Sequence, residues 1–384
     1  MHKILAAVLC GLMLAPAVLF AQAEKEKPYP ELHIKDGDKV MMLTYFRQRY
    51  PTRIEIDNDG NIIEVPLPDP MLEASLHIAL STNGRNWTPL NDNKPIWDQW
   101  MRDPYVRRDP DGTWHILATG GMGELDKNEV GPTCLYATSK DLIHWKAEGS
   151  LPLMKETKEN GAFAKNIWAP EWFYDEENNE YVLVWSSSFD EAGWMNSRLW
   201  YSRTKDWESF TPAKVLFDPP YSVIDGTILK EGGKYYLFHK EEEFGAKTGE
   251  RRAIRLAVSD KLEGPYEIVE GHLNNGQIVP VITEGPSVIL DPFEDGYLLY
   301  YDFCMTDRFG VSYSDDLTNW EIEDDANFPD AARHGTVSII SSAEAEKLLK
   351  EENDKHLKEH SHRDHDNNHL KNDKKIATPK KSSV

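Results

Sequence analysis

The feature that most constrains this chain is that it repeats. A strand-like run meets a serine, a polar turn and then an aromatic residue in "LHIALSTNGRNW" (76–87), "CLYATSKDLIHW" (134–145) and "GVSYSDDLTNW" (310–320). Looser copies are "LWYSRTKDWESF" (199–210) and "IRLAVSDKLEGPY" (254–266). The serines are Ser81, Ser139, Ser202, Ser259 and Ser314, at spacings of 58, 63, 57 and 55 residues. Each copy reads as a β-hairpin. A second series lies out of phase with the first: "RDPYVRRDPDGTWHILAT" (102–119), "APEWFYDEENNEYVLVWSS" (169–187), "IDGTILKEGGKYYLFHK" (224–240) and "EGPSVILDPFEDGYLLYYD" (284–302). Each has a small or acidic head, an apolar strand, a turn of Asp, Asn and Gly, and an aromatic strand. Joined in order, the two series make four strands per repeat, and a repeat of this length marks a repeat architecture.

Four repeats are complete. "HGTVSII" (334–340) is a first strand without successors, whereas "KVMMLTYF" (39–46), "LHIALSTNG" and "NWTPL" are later strands without a first. Together they make a fifth unit drawn from both ends of the chain. The fold expected is an all-β, five-bladed β-propeller over residues 24–341. Pairing the terminal strands removes exposed sheet edges. Two sandwich domains would not explain why the ends complement each other.

The flanks differ in composition. Lys3, the apolar run "ILAAVLCGLMLAPAVLF" and "AQA" (21–23) read as a secretory signal over residues 1–23, which predicts a periplasmic or secreted protein. From 342 to 384 the chain is charged and poor in aromatics, and it carries five of the 13 histidines. It is expected to be disordered or a frayed helix, serving either as a solubilising tail or as a weak metal-binding tract. With the signal removed, Cys134 and Cys304 remain, in non-adjacent units, and are expected to be free buried thiols. A net charge of −22 argues against nucleic-acid and anionic-membrane partners.

In a propeller the first strand of each blade lines a central channel, so the strand heads converge. Here they are Asp103, Glu171, Asp225, Glu284 and His334. Carboxylates gathered at one mouth repel and raise each other's pKa. Glycoside hydrolysis uses such a set: one carboxylate as base, one carboxylic acid for the leaving oxygen, and a third to keep that acid protonated.

The set "RDPYV", "IWAPEWFYD", "VIDGTI", "EGPSV" and "RHGTV", in this order, resembles glycoside hydrolase family 43 over residues 39–340. The resemblance implies an inverting glycosidase with Asp103 as general base, Glu284 as general acid, and Asp225 tuning and orienting that acid. It implies further that His334 lies near a structural calcium or its waters, with no cofactor required for the reaction. Trp168 matches a pocket-wall aromatic, with a core tryptophan as the other reading. Arg308 matches an arginine that reaches sugar hydroxyls, with a surface arginine as the other. Glu171 joins the substrate-binding set.

Loops between second and third strands should rim the pocket, and the one over residues 47–75 is long. That favours a blind pocket and exo action on an oligosaccharide or polysaccharide, of the α-L-arabinofuranosidase or β-xylosidase type, or a galactosidase. A fructan-cleaving relative would carry Asn-Asp-Pro-Asn-Gly in blade one, where this chain has "MRDPYV". A non-catalytic sugar-binding propeller would not need all three acids. Oligomeric state is not legible in the sequence.

Overall fold

Each repeat folds as a four-stranded antiparallel sheet in the computed structural model, which describes residues 29–56, 62–120, 132–159, 161–189, 196–242, 252–269, 282–304, 306 and 308–351. Blade one runs Arg102–Arg108, Trp114–Thr119, Cys134–Ser139 and Lys146–Leu151 from the axis outward. Blades two, three and four begin at Trp168–Asp175, Val223–Glu231 and Glu284–Leu290 and repeat the same order. In blade five the inner strand is Ala332–Ser341, followed outward by Lys39–Arg49, Met71–Ser81 and Thr88–Pro89. The pairing joins Lys39 to Ser341 and Arg47 to Ala332, so strands from widely separated parts of the chain share one sheet. Each inner strand packs against the next, and the inner strand of blade five packs against that of blade one.

The core is five clusters rather than one, each wedged between neighbouring blades. Alternation along each strand explains this, because both faces of every blade are covered by another blade. The repeated serines close the outer hairpins. The hydroxyls of Ser81, Ser139 and Ser314 each accept from the backbone N–H groups two and three residues on. The residue at the third position has positive φ: Gly84, Leu142 and Leu317. Trp145 and Trp320 then donate their indole N–H to the carbonyls of Leu142 and Leu317. In blade two this job falls to Thr204, which accepts from Asp206 and Trp207, while the expected Ser202 bonds Thr211. The serine register was therefore two residues off there, because threonine offers the same hydroxyl. Cys134 and Cys304 are free and buried.

The boundary drawn at residue 341 needs correction. Residues 342–351 are helical. Ala345 and Leu348 are buried in the cluster between blades five and one, with Leu349 against its edge. Composition hid this: the three apolar residues fall at helical spacing within an otherwise charged run. The segment 1–23, expected to be a secretory signal, and the histidines from 356 to 369 lie outside the described residues.

A chain ending at residue 351 should melt like the full chain. One ending at 341 should lose about 2–4 kcal/mol from uncovering this cluster. Thermal or urea unfolding of the two truncations measures the difference.

Candidate active site

The inner strands share a local irregularity that builds the site. The ladder to the second strand slips between Arg102 and Tyr105, Trp168 and Glu171, Ile224 and Thr227, and Glu284 and Ser287. It slips again at His334 in blade five. Each slip is a β-bulge, which turns a side chain out of the sheet's alternation. The bulged residues are Asp103 (φ 52°), Ala169 (φ 41°), Asp225 (φ 52°), Gly285 (φ 61°) and His334. A left-handed backbone is costly for Ala or Asp, so its recurrence marks a conformation imposed by the fold.

This register corrects one expectation. Asp103, Asp225 and His334 occupy the bulge itself. Glu284 stands one residue before it, level with Arg102 and Trp168. Glu171 stands two residues after Ala169, level with Tyr105 and Thr227. Strand heads matched by eye miss this, because the extra bulge residue shifts the side-chain phase by one.

The residue paired opposite the pre-bulge position reaches into the next blade. Thr119 Oγ1 accepts from the N–H of Ala169 at 2.8 Å, and Ser186 Oγ from that of Asp225 at 3.1 Å. Lys240 Nζ donates to Glu284 Oε2 at 2.7 Å, and Asp302 Oδ2 accepts from the N–H of His334 at 2.9 Å. Phe46, in blade five, lies under the Arg102 guanidinium at 5.0 Å. Three second strands thus clasp the next blade's bulge itself, and the other two clasp the residue just before it.

The bulges surround a cavity of about 300 Å³ lined by Asp103, Tyr105, Glu171, Asp225, His334 and neighbouring backbone. Asp225 Oδ2 accepts from Gly285 N–H at 3.1 Å and lies 3.1 Å from His334 Nε2. His334 Nδ1 lies 2.6 Å from Asp302 Oδ2. Burial disfavours the imidazolium, but Asp302, Asp225 and Asp103 outweigh it and hold the His334 pKa well above its usual value. Gly285 is required, since a Cβ there would come within 2.9 Å of the His334 ring. Gly226 instead faces Leu199 and Leu237, on the core side.

Glu284 lies near Asp225 but is gripped by cations. Its Oε1 meets Arg333 and its Oε2 meets Lys240, both fully buried cations. Burial opposes its charge, but Lys240, Arg333 and His334 hold its carboxyl well below the usual range. Lys240 also lies 2.7 Å from Glu242, and Arg333 Nε 3.2 Å from Asp302. Lys240, Asp302 and Arg333 were missed in the sequence. Counting the hairpin pairing back from each turn places Lys240 and Asp302 opposite the strand heads, a signal that was available.

Trp168 is half-buried and, like Glu284, lies outside the residues lining the cavity. Arg308 is exposed, stacks over Phe303 at 4.8 Å and is not brought to the cavity. Connections from an outer strand to the next inner strand also end at this mouth. They include the hairpin Lys158–Glu159 with Ala162–Phe163, which was not counted among the rim loops. The rim loops 121–131, 190–195 and 243–250 lie outside the described residues. Asp225, Glu284 and His334 bring donor atoms within 4.8 Å of one another, a grouping that a cation could use. The donors do not fit a metal ion as arranged. His334 is an imidazolium between carboxylates, and Glu284 already carries two cations that would repel a third.

Over residues 71–346 the chain matches the family Glyco_hydro_43_rel, described as "Probable glycosyl hydrolase domain". The chain belongs to this family of probable glycosyl hydrolase domains related to family 43. An α-L-arabinofuranosidase of Bifidobacterium longum is 29% identical over 169 residues, covering 38% of this chain and 15% of that protein. The chain therefore spans a small part of that curated relative. A thermostable family-43 glycoside hydrolase aligns with a TM-score of 0.46 and 19% identity over 63% of this chain and 80% of that one. Bacillus subtilis arabinanase Arb43A aligns at 0.42 and 18% identity over 64% and 81%.

Replacing Lys240 by Met should leave the Glu284 and Glu242 carboxylates buried without their shared counter-ion. Loss of one partner from such a pair costs about 3–5 kcal/mol. A depressed carboxyl pKa stabilises above the unfolded value and is lost as pH falls through the folded value. The cost of Lys240→Met should therefore be full at pH 7 and shrink toward pH 4, where the carboxyls accept protons. Urea unfolding at the two pH values tests the sign.

Proposed function

We propose that the protein is an exported, inverting, exo-acting glycosidase that removes single sugars from the ends or side branches of a polysaccharide, with α-L-arabinofuranosides as the first substrate class. The observation that carries this reading is the convergence of Asp103, Asp225 and His334 on one small pocket, with the Glu284 carboxyl within 4.8 Å of donor atoms of Asp225 and His334. The arabinofuranosidase relative points to the sugar. Export rests on the signal-like segment 1–23.

The Asp103 carboxylate accepts a proton from water as the water oxygen attacks the anomeric carbon. The glycosidic C–O bond breaks, and the leaving oxygen takes a proton from the protonated form of Glu284, whose carboxyl lies within 4.8 Å of donor atoms of Asp225 and His334. Asp225 acts through backbone: its bond to Gly285 N–H holds the peptide that carries Glu284. Charge shapes the cycle. With Lys240 and Arg333 beside it, Glu284 rests ionised and takes up its proton more readily as pH falls.

Asp103→Asn and Glu284→Gln should each lower kcat by about 10²–10⁴-fold with the fold intact. The assay is a panel of nitrophenyl α-L-arabinofuranoside, β-D-xyloside and β-D-galactoside. Wild-type kcat/KM should rise as pH falls from 7 toward 5, and a flat profile there would assign the proton to another group. Release of only long internal fragments from polymer would overturn exo action.

A further inference from the structure

Glu171 is the acid of the pocket that the scheme above leaves without a task. It lies two residues beyond the blade-two bulge, about 6–7 Å deeper along the strand. At its level the other four inner strands present hydroxyls: Tyr105, Thr227, Ser287 and Thr336. Its carboxyl lines the cavity, with the Thr227 hydroxyl as its hydrogen-bonding neighbour and no ion pair among the described residues. Arg107, on the blade-one strand, acts only through space and is itself drawn over the Tyr105 ring at 5.7 Å. The other charged groups facing this space are Asp103, Asp225 and His334.

Glu171 is half-buried; a carboxylate partly withdrawn from water with no ion pair is costly, and a third negative charge below Asp103 and Asp225 would add repulsion. Burial accordingly pushes the Glu171 carboxyl up to about 8, with Asp225 acting in the same sense and Thr227 and Arg107 against it. Protonation also changes its chemistry. An ionised carboxylate only accepts hydrogen bonds, whereas a neutral one donates. A sugar hydroxyl or a water reaching this floor meets acceptors in Asp103 and Asp225 and needs a donor.

We propose that Glu171 serves the pocket as a neutral carboxylic acid, donating a hydrogen bond to the hydroxyl oxygen that occupies the floor beneath Asp103 and Asp225. This rests on the glycosidase reading for the identity of that oxygen. It makes Glu171 a positioning residue whose ionisation shuts the site at alkaline pH.

The test uses Glu171→Gln, which stays neutral at every pH, and Glu171→Leu, which cannot donate. A folded-state pKa above the unfolded one means that stability falls as pH rises from the unfolded toward the folded value. The stability of E171Q relative to wild type should therefore grow between pH 5 and pH 8, as read by thermal unfolding. This arm needs no substrate. With whichever nitrophenyl glycoside of the panel the wild type hydrolyses, the fall of wild-type kcat/KM with rising pH should steepen above roughly pH 8, by about a further tenfold per pH unit. E171Q should be a few-fold slower at pH 7 and lack that steepening, and E171L should be slow throughout. A rise in KM in E171L places the oxygen on the sugar, and a fall in kcat alone places it on water. A stability difference that does not change with pH overturns the neutral acid. An alkaline limb unchanged in E171Q overturns the positioning role. If the wild type hydrolyses none of the panel, the glycosidase reading fails, while the unfolding arm still decides whether Glu171 holds its proton.

Discussion

The clasp between second strands and the next blade's bulge is the interaction on which the rest depends. A bulge in a first strand leaves one backbone N–H outside the ladder, and a buried N–H must be paired. The neighbouring blade supplies the acceptor: Thr119 for Ala169, Ser186 for Asp225 and Asp302 for His334. The bulge can persist only if the next blade is docked, and docking puts five bulged side chains around one cavity. Blade packing and site assembly are one event.

The same clasp position carries charge on the side of blades four and five. Lys240 and Asp302 replace the hydroxyls found in blades one and two, and Arg333 joins them. The result is an alternating chain of buried charges from Glu242 through Lys240, Glu284, Arg333, Asp302 and His334 to Asp225. Each would be expensive alone, and each is flanked by opposite sign. This explains how a strongly acidic protein gathers several carboxylates in one place without each of them being neutralised by protons. It also divides the acids: cations favour the charged form of Glu284, whereas Glu171, two residues beyond its bulge and with no ion pair among the described residues, is pushed by burial toward its neutral form.

Much of the fold was legible because β-structure has a period of two and the turns carry their own chemistry. Ser81, Ser139 and Ser314 mark the outer hairpins by hydroxyls that the turns need, so blade number could be counted. Where another residue does the same work, as Thr204 does, the count slipped. The docking of the helix at 342–351, expected only as a frayed helix or disorder, escaped notice because three apolar residues in a charged run say little until a groove between blades exists to receive them.

The sequence by itself determined the repeat, the four strands of each unit, the complementary end segments, and the arrival of Asp103, Asp225, Glu284 and His334 at one mouth. These follow from hydrophobic alternation and turn residues, which act over a few positions. Only the tertiary structure decided what each acid is. Bulges reset the side-chain phase by one residue, and they separate the levels of Asp103, Glu284 and Glu171. Cations from other strands, Lys240 and Arg333, then set their charge. Proton affinity depends on neighbours within a few ångströms in space, and those neighbours lie tens of residues away in the chain.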